Sequence, residues 1–283
     1  MTPRITVGIT TRNRPESLRR CLESLGRIAH LAPEVLVFDD GSNPPAATPA
    51  GITVIREVSS PGYIAGRNRL VSAAAAPYIL LLDDDAALIE GDGVERAIML
   101  LESDARIGAV GFPQGTSARG PSAPRYVAAF TGFAHIVRRD LFVALGGYRE
   151  RFVFYGEEKE FCLRLLDSGH RTVLLEGSPV AHHCDPAGRS RSRYLRYVTR
   201  NDCLDAVYNQ PFHRALWIVP ARLLLYFRMR RAWGVRDPFG WCWVIADLVR
   251  EARPAIKVRQ PVSYGTLRLW RRLRGGAEPY SVP

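Results

Sequence analysis

The segment Tyr78–Ala87 reads YILLLDDDAA. Five residues without a charge, Tyr78–Leu82, run directly into Asp83, Asp84 and Asp85. An apolar run of this length predicts a strand buried on both faces, as in a parallel sheet covered by helices. Ligands of open α/β sheets bind beyond the carboxyl ends of the strands, where three carboxylates would then stand. Like charges this close repel, and a divalent metal is the leading counter-charge. The plainer alternative is an acidic turn capping the next helix, but one carboxylate is enough for that.

Working outward, Ile5–Ile9 predicts a first strand and Thr10–Arg14 the loop that leaves it. Pro15 suits the first position of a helix with Leu18, Cys21, Leu22 and Leu25 on one face. Val35–Phe38 predicts a second strand that enters Asp39-Asp40-Gly41-Ser42, and Thr53–Arg56 a short third. Pro61–Asn68 is a Gly-containing turn opening a helix from Arg67 to about Ala75, and the aspartate strand follows. Strands alternating with helices predict a doubly wound, mostly parallel sheet. Further along, Val94–Glu102 predicts a helix, Ile107–Phe112 a strand, Gln114–Pro124 a loop, and Val127–Val137 a strand around Gly132. A helix over Glu157–Ser168 ends at Gly169, then Thr172–Leu175 forms a strand and Pro179–His183 returns towards the aspartates.

The 283 residues carry a net charge of +11, unevenly placed. Residues 1–186 hold 20 Lys and Arg against 22 Asp and Glu, whereas residues 187–283 hold 19 against 6. A tail this basic suits phosphate, anionic lipid or nucleic acid. No zinc-finger, RNP or helix-turn-helix pattern accompanies it, so nucleic acid is not expected. Arg189–Gln210, Ala215–Trp233, Phe239–Arg253 and Tyr264–Leu273 predict four helices. The most apolar piece, Leu216–Phe227, contains Pro220 and Arg222 and falls short of the ~20 apolar residues of a bilayer crossing. Interleaved Trp, Tyr, Phe and Arg suit a membrane surface, and equally a contact with the body or a second subunit. Five scattered cysteines form no CxxC pair and read as reduced thiols. Met1–Arg4 run straight into the first strand, so no secretory signal is expected. The expected location is the cytoplasm, with peripheral contact at the inner face of the membrane.

In order and spacing, the motifs resemble family 2 glycosyltransferases of the GT-A fold, close to rhamnosyltransferase-like members. The resemblance covers roughly residues 4–205. Thr11, Arg12 and Asn13 match the family's opening loop, and Val37–Ser42 (VFDDGS) its second-strand carboxylates. Ser60–Asn68 (SPGYIAGRN) matches its glycine–arginine turn, Asp83–Asp85 its D-x-D, and Gly147–Leu163 (GYRERFVFYGEEKEFCL) its acceptor-side helix. Ser60 stands where Asn is usual, Leu70 where a Gly often follows, and Glu158 where Asp is more common.

The resemblance implies a GT-A catalytic domain over residues 1–205, with a donor half to about 112, an acceptor half beyond it and a basic helical extension over 206–283. It implies an inverting, metal-dependent transfer of a sugar from a nucleotide diphosphate to an acceptor hydroxyl. The acceptor would be a glycan, a lipid-linked saccharide or a natural-product aglycone. Asp85 would be the direct ligand of Mn²⁺ or Mg²⁺, with Asp83 binding the donor ribose or supporting the metal shell, Asp84 a less defined donor contact, and His182 or His183 the third ligand. Glu158 would be the general base and Glu157 the second choice, both at a helix start that favours the ionised form. Thr11, Arg12, Asp39 and Arg67 would face the nucleotide, and Arg189 or Arg191 in Gly188–Arg193 (GRSRSR) would close over the diphosphate. For several of these a purely structural role is available: a turn for Asp39-Asp40-Gly41, a solvated helix arginine for Arg67, a surface histidine pair, a basic loop. First-turn stabilisation is the expected role of Glu160.

Two other classes compete. A nucleotidyltransferase of related fold needs a Gly-rich loop with a lysine near the first strand, and Ile5–Arg14 has one Gly and no Lys. A non-enzymatic protein that binds anions or membrane through the tail leaves the carboxylate cluster and Glu157-Glu158 unexplained. A dinucleotide oxidoreductase is excluded by the missing G-x-G-x-x-G.

Overall fold

The computed structural model describes residues 3–117, 122–183, 190–276 and 278–280. The elements in chain order begin β1 (Ile5–Thr11), α1 (Pro15–Ser24), β2 (Glu34–Asp39), β3 (Thr53–Arg56), α2 (Tyr63–Ala73) and β4 (Tyr78–Asp83). Then come β5 (Ala86–Leu88), α3 (Asp92–Ser103), β6 (Ile107–Gly111), β7 (Arg125–Val127), β8 (Ala134–Arg138), α4 (Arg139–Ala144), α5 (Glu157–Asp167), β9 (Arg171–Leu174) and β10 (Val180–His182). The tail supplies α6 (Arg191–Asn209), α7 (Phe212–Ala232), α8 (Gly240–Lys257), α9 (Tyr264–Gly275) and β11 (Glu278–Pro279).

The main sheet runs β11-β7-β9-β6-β8-β4-β1-β2-β3. The strands β3, β2, β1 and β4 are parallel, and β8 enters antiparallel to both β4 and β6. A second, two-stranded sheet pairs β5 with β10, setting His182 opposite Ala86. The segment 127–137, expected as one strand, is divided. Val127 ends β7 beside β9, and β8 starts at Ala134 beside β4, with the chain turning through Gly132 between them.

Strand alternation explains why β4 is apolar throughout. Ile79 and Leu81 face the cluster built by α2, α4 and α5, together with Leu248 and Trp270 of the tail. Leu80 and Leu82 face the cluster built by α1 and α3. Each such fully buried side chain contributes on the order of 2 kcal/mol. The same alternation aims Asp83 at the α2 side. Helix α2 lies close on β2 because residue 66 is glycine: a Cβ there would stand 2.4 Å from the Phe38 ring. The tail does not hang free. Helices α6, α7 and α8 pack together around Leu195, Tyr226, Val235 and Val244, and α6 runs unbroken through position 205. Among the described residues no disulfide forms; Cys21, Cys162 and Cys203 are buried and Cys242 is exposed.

Candidate active site

At the carboxyl edge of the parallel strands, Asp83, Asp85 and His182 place their ligand atoms within 4.8 Å of one another. His182 Nε2 lies 3.1 Å from Asp85 Oδ1, and its ring stacks on Phe133 with centroids 4.6 Å apart. The two-stranded sheet sets the two histidines apart. His182 is turned towards the aspartates, while the exposed His183 contributes its backbone N–H to the Asp85 carbonyl at 2.9 Å.

Asp84 points elsewhere. It is buried, accepts the Thr11 hydroxyl at 2.8 Å and pairs with Arg14 at 3.2 Å. Burial pushes its carboxyl up to about 6, although Thr11 and Arg14 oppose the shift. Arg14 also reaches Asp85 at 3.5 Å. Arg12, the expected donor contact, is exposed. The positive φ of 53° at Asn13 turns the chain so that the arginine ahead of α1 meets the acids. Arg14 was missed from sequence; its position next to Pro15 at the start of α1 was the available signal.

Arg67 is a second cation of the site among the described residues. It is 2% exposed. Its Nη2 donates to Asp83 at 2.7 Å and to the Gly132 carbonyl at 2.9 Å. Its Nη1 donates to Glu157 at 2.9 Å and to Glu158 at 3.5 Å. It is an internal bridge between the aspartate edge and the start of α5, not a solvated helix arginine. Tyr63, under the guanidinium at 4.8 Å, donates its hydroxyl to Glu157 at 3.2 Å. The Gly132 carbonyl also lies 3.1 Å from His135 Nδ1. The buried His135 is held well below its usual range, first by burial and then by Arg67. Facing a carbonyl, Nδ1 donates, and Nε2 lies 2.7 Å from the Tyr148 hydroxyl.

The two glutamates are not equivalent. The Glu157 side chain is 0% exposed and that of Glu158 18%. One guanidinium faces three carboxylates, and burial first, then the Glu158 charge, raises the Glu157 carboxyl well above its ordinary range despite Arg67. Glu158 lies against Gly132, where a Cβ would be 1.8 Å from its Oε1. Glu160, expected to stabilise the first turn of the helix, is buried and pairs with Arg149 and Arg164 at 2.7 Å each.

Asp39 is fully buried, and its carboxylate accepts the N–H groups of Ser42 at 2.8 Å and Ala46 at 3.1 Å. Burial alone would raise it, but these bonds and Arg56 hold it below its usual value. In the described geometry it organises the loop after β2. Arg189 lies outside the described residues, and Arg191 opens α6 with its guanidinium 3.5 Å from the Trp233 carbonyl.

Asn201 of α6 was not visible from sequence. Its side-chain amide donates to the carbonyls of Phe152 and Phe154 at 2.9 Å and of Tyr155 at 2.6 Å. This loop, with positive φ at Val153 (61°) and Tyr155 (67°), delivers the chain into Glu157. Arg200, beside Asn201, is buried between the Arg151 carbonyl and Asp247 of α8. The tail thus braces the entry to α5.

A parallel sheet with a carboxylate–histidine cluster at its carboxyl edge, facing glutamates across an antiparallel insertion, defines the GT-A architecture of nucleotide-sugar transferases. The chain belongs to glycosyl transferase family 2, whose model matches residues 6–152, a little over half its length. It is 25% identical over 228 residues to the O-antigen biosynthesis protein RfbC of Myxococcus xanthus, covering 64% of this chain and 17% of that protein. It is 25% identical over 212 residues to the pre-mycofactocin glycosyltransferase of Mycobacterium tuberculosis, covering 63% and 42%. The chain therefore spans less than half the length of these relatives. In fold it is similar to S. aureus TarS 1-349 in complex with UDP-GlcNAc (TM-score 0.61, 15% identity, 96% of this chain and 87% of that one). It is also similar to the mannosyltransferase PcManGT from Pyrobaculum calidifontis with GDP-Man and Mn²⁺ (TM-score 0.56, 15% identity, 96% and 87%).

Proposed function

We propose that the chain transfers a sugar from a nucleoside-diphosphate donor to an acceptor hydroxyl, with inversion at the anomeric carbon. The observation that carries this reading is the Asp83–Asp85–His182 cluster, joined through Arg67 to Glu157 and Glu158.

Two carboxylates and an imidazole suit Mn²⁺ or Mg²⁺. The 3.1 Å separation of Asp85 Oδ1 and His182 Nε2 matches two neighbouring ligands each at about 2.0–2.2 Å from one ion. Asp85 and His182 would hold the cation, with Asp83 completing the protein's share. A bound cation supplies charge stabilisation and orientation to the leaving diphosphate. Thr11 and Arg14 keep Asp84 out of the ligand set. Arg67 fixes Asp83 and the two glutamates relative to one another, so the donor edge and the acceptor side are built as one unit.

Glu158 is the general base in this reading. A base must reach the acceptor hydroxyl, and the partly exposed Glu158 meets that need where the sealed Glu157 does not. A hydroxyl deprotonated by Glu158 and attacking opposite the leaving diphosphate gives inversion. The donors held by the two similar structures differ in base and sugar, UDP-GlcNAc and GDP-Man. Both are nucleoside diphosphate sugars, and that class is what we assign to this chain.

The test is thermal stabilisation by a panel of nucleoside diphosphates and their sugars, with and without Mn²⁺, followed by hydrolysis assays on those that bind. At least one should raise the melting temperature only when the metal is present. No response from any of them would remove the transferase reading.

A further inference from the structure

Helix α7 is apolar on two sides. Leu223, Tyr226 and Met229 pack inward with α6 and α8. On the other side Trp217 is 80% exposed, Leu224 66%, Leu216 57% and Phe227 43%. At about 100° per residue these four, with the exposed Arg228 and Arg231, fall within an arc of roughly 120°. A contiguous apolar strip of this size on a soluble surface marks an interaction site.

The charge on α7 selects the partner. Its 21 residues include five arginines and no Asp or Glu. Arg222 is paired with Asp202, and Arg230 reaches the Asp237 carbonyl; Arg228 borders the apolar strip and Arg231 ends it one turn beyond Phe227. Aromatic and aliphatic side chains flanked by arginines, without acids, fit the boundary between acyl chains and anionic headgroups. A protein partner would need a matching apolar face with several acids. A second copy would bring arginines against arginines. No helix of the described residues is long and apolar enough to cross a membrane, so the contact lies in the plane of the surface.

We infer that the exposed face of α7, centred on Trp217 and Leu224, docks the protein onto an anionic lipid bilayer, with Arg228 and Arg231 on the headgroups. The inference rests on α7 alone and stands apart from the transferase reading, because its readout is binding.

The experiment is flotation of the full chain with vesicles of phosphatidylcholine, with or without phosphatidylglycerol. Wild type should float with the phosphatidylglycerol vesicles, and less as salt rises. Trp217→Ser with Leu224→Ser should weaken binding at least about tenfold. Arg228→Gln with Arg231→Gln should cost roughly thirtyfold on anionic vesicles only. Circular-dichroism melting checks that these exposed positions leave the fold intact. Three results would overturn the inference: no flotation of wild type on anionic vesicles; undiminished flotation of both double variants; or a lipid-free dimer, seen by sedimentation, that Trp217→Ser dissociates.

Discussion

The Arg67 guanidinium lies 2.9 Å from the carboxylate of Glu157, and neither side chain is more than 3% exposed. The same guanidinium donates to Asp83 at 2.7 Å. One buried cation therefore ties the end of β4 to the start of α5, elements that arrive from distant parts of the sequence. Removing Arg67 leaves the three carboxylates it bridges without their buried counter-charge, at a cost of about 3–5 kcal/mol. Arg67→Ala should lower the melting temperature accordingly, and Arg67→Lys should recover only part of it, because an ammonium cannot reproduce the planar fork. Differential scanning calorimetry checks the order wild type, Lys, Ala.

Glu157 predicts a pH dependence of stability. Its folded carboxyl holds a proton to higher pH than in the unfolded chain, where a glutamate titrates near about 4.3. The folded state thus binds more protons, and stability falls as pH rises from the unfolded value through the folded one. Glu157→Gln copies the protonated form. As pH rises above the unfolded value its melting temperature should decline less steeply than that of wild type. Identical slopes would show that Glu157 is ionised in the folded protein.

Glu158→Gln should leave donor binding within a few fold and suppress transfer by about 10²–10⁴. Steady-state rates alongside calorimetric donor affinity separate the two. Turnover near the wild-type rate would return the base to another group.

Asn201→Ala removes donors from three carbonyls of a loop that contains two residues at positive φ. The expected loss is about 1–3 kcal/mol of stability. Because this loop leads into Glu157 and not to the aspartates, transfer should fall more than donor affinity does. Equal losses in both would show that Asn201 supports the fold alone.

The aspartate strand, the alternating sheet and the four tail helices were legible because each is written in local pattern: an apolar run, a period, a cap. The side-chain wiring was less so. That Arg14 pairs with Asp84 and Asp85 is not written in any local pattern; it follows from the turn at Asn13 and the start of α1. The choice between His182 and His183 depends on the register of β10 against β5, two strands of three residues each with no sequence period of their own. Arg67 is legible from the glycine–arginine turn, but its partners are 16, 90 and 91 positions away. The tail's basicity suggested an external anion, whereas part of it is answered internally by Asp202, Asp237 and Asp247. The strand expected over 127–137 is divided by a turn through Gly132, a position where Glu158 and Arg67 leave no room for a side chain.

The most direct measurement is calorimetric titration of a nucleoside diphosphate that passes the thermal screen, with Mn²⁺ present, into wild type, Asp85→Asn, His182→Ala and Asp84→Asn. Asp85 and His182 should each lose at least about tenfold in metal-dependent affinity. Asp84→Asn, whose carboxylate is turned to Thr11 and Arg14, should stay within a few fold of wild type. Wild-type affinity in Asp85→Asn with metal still required would contradict the account at its centre.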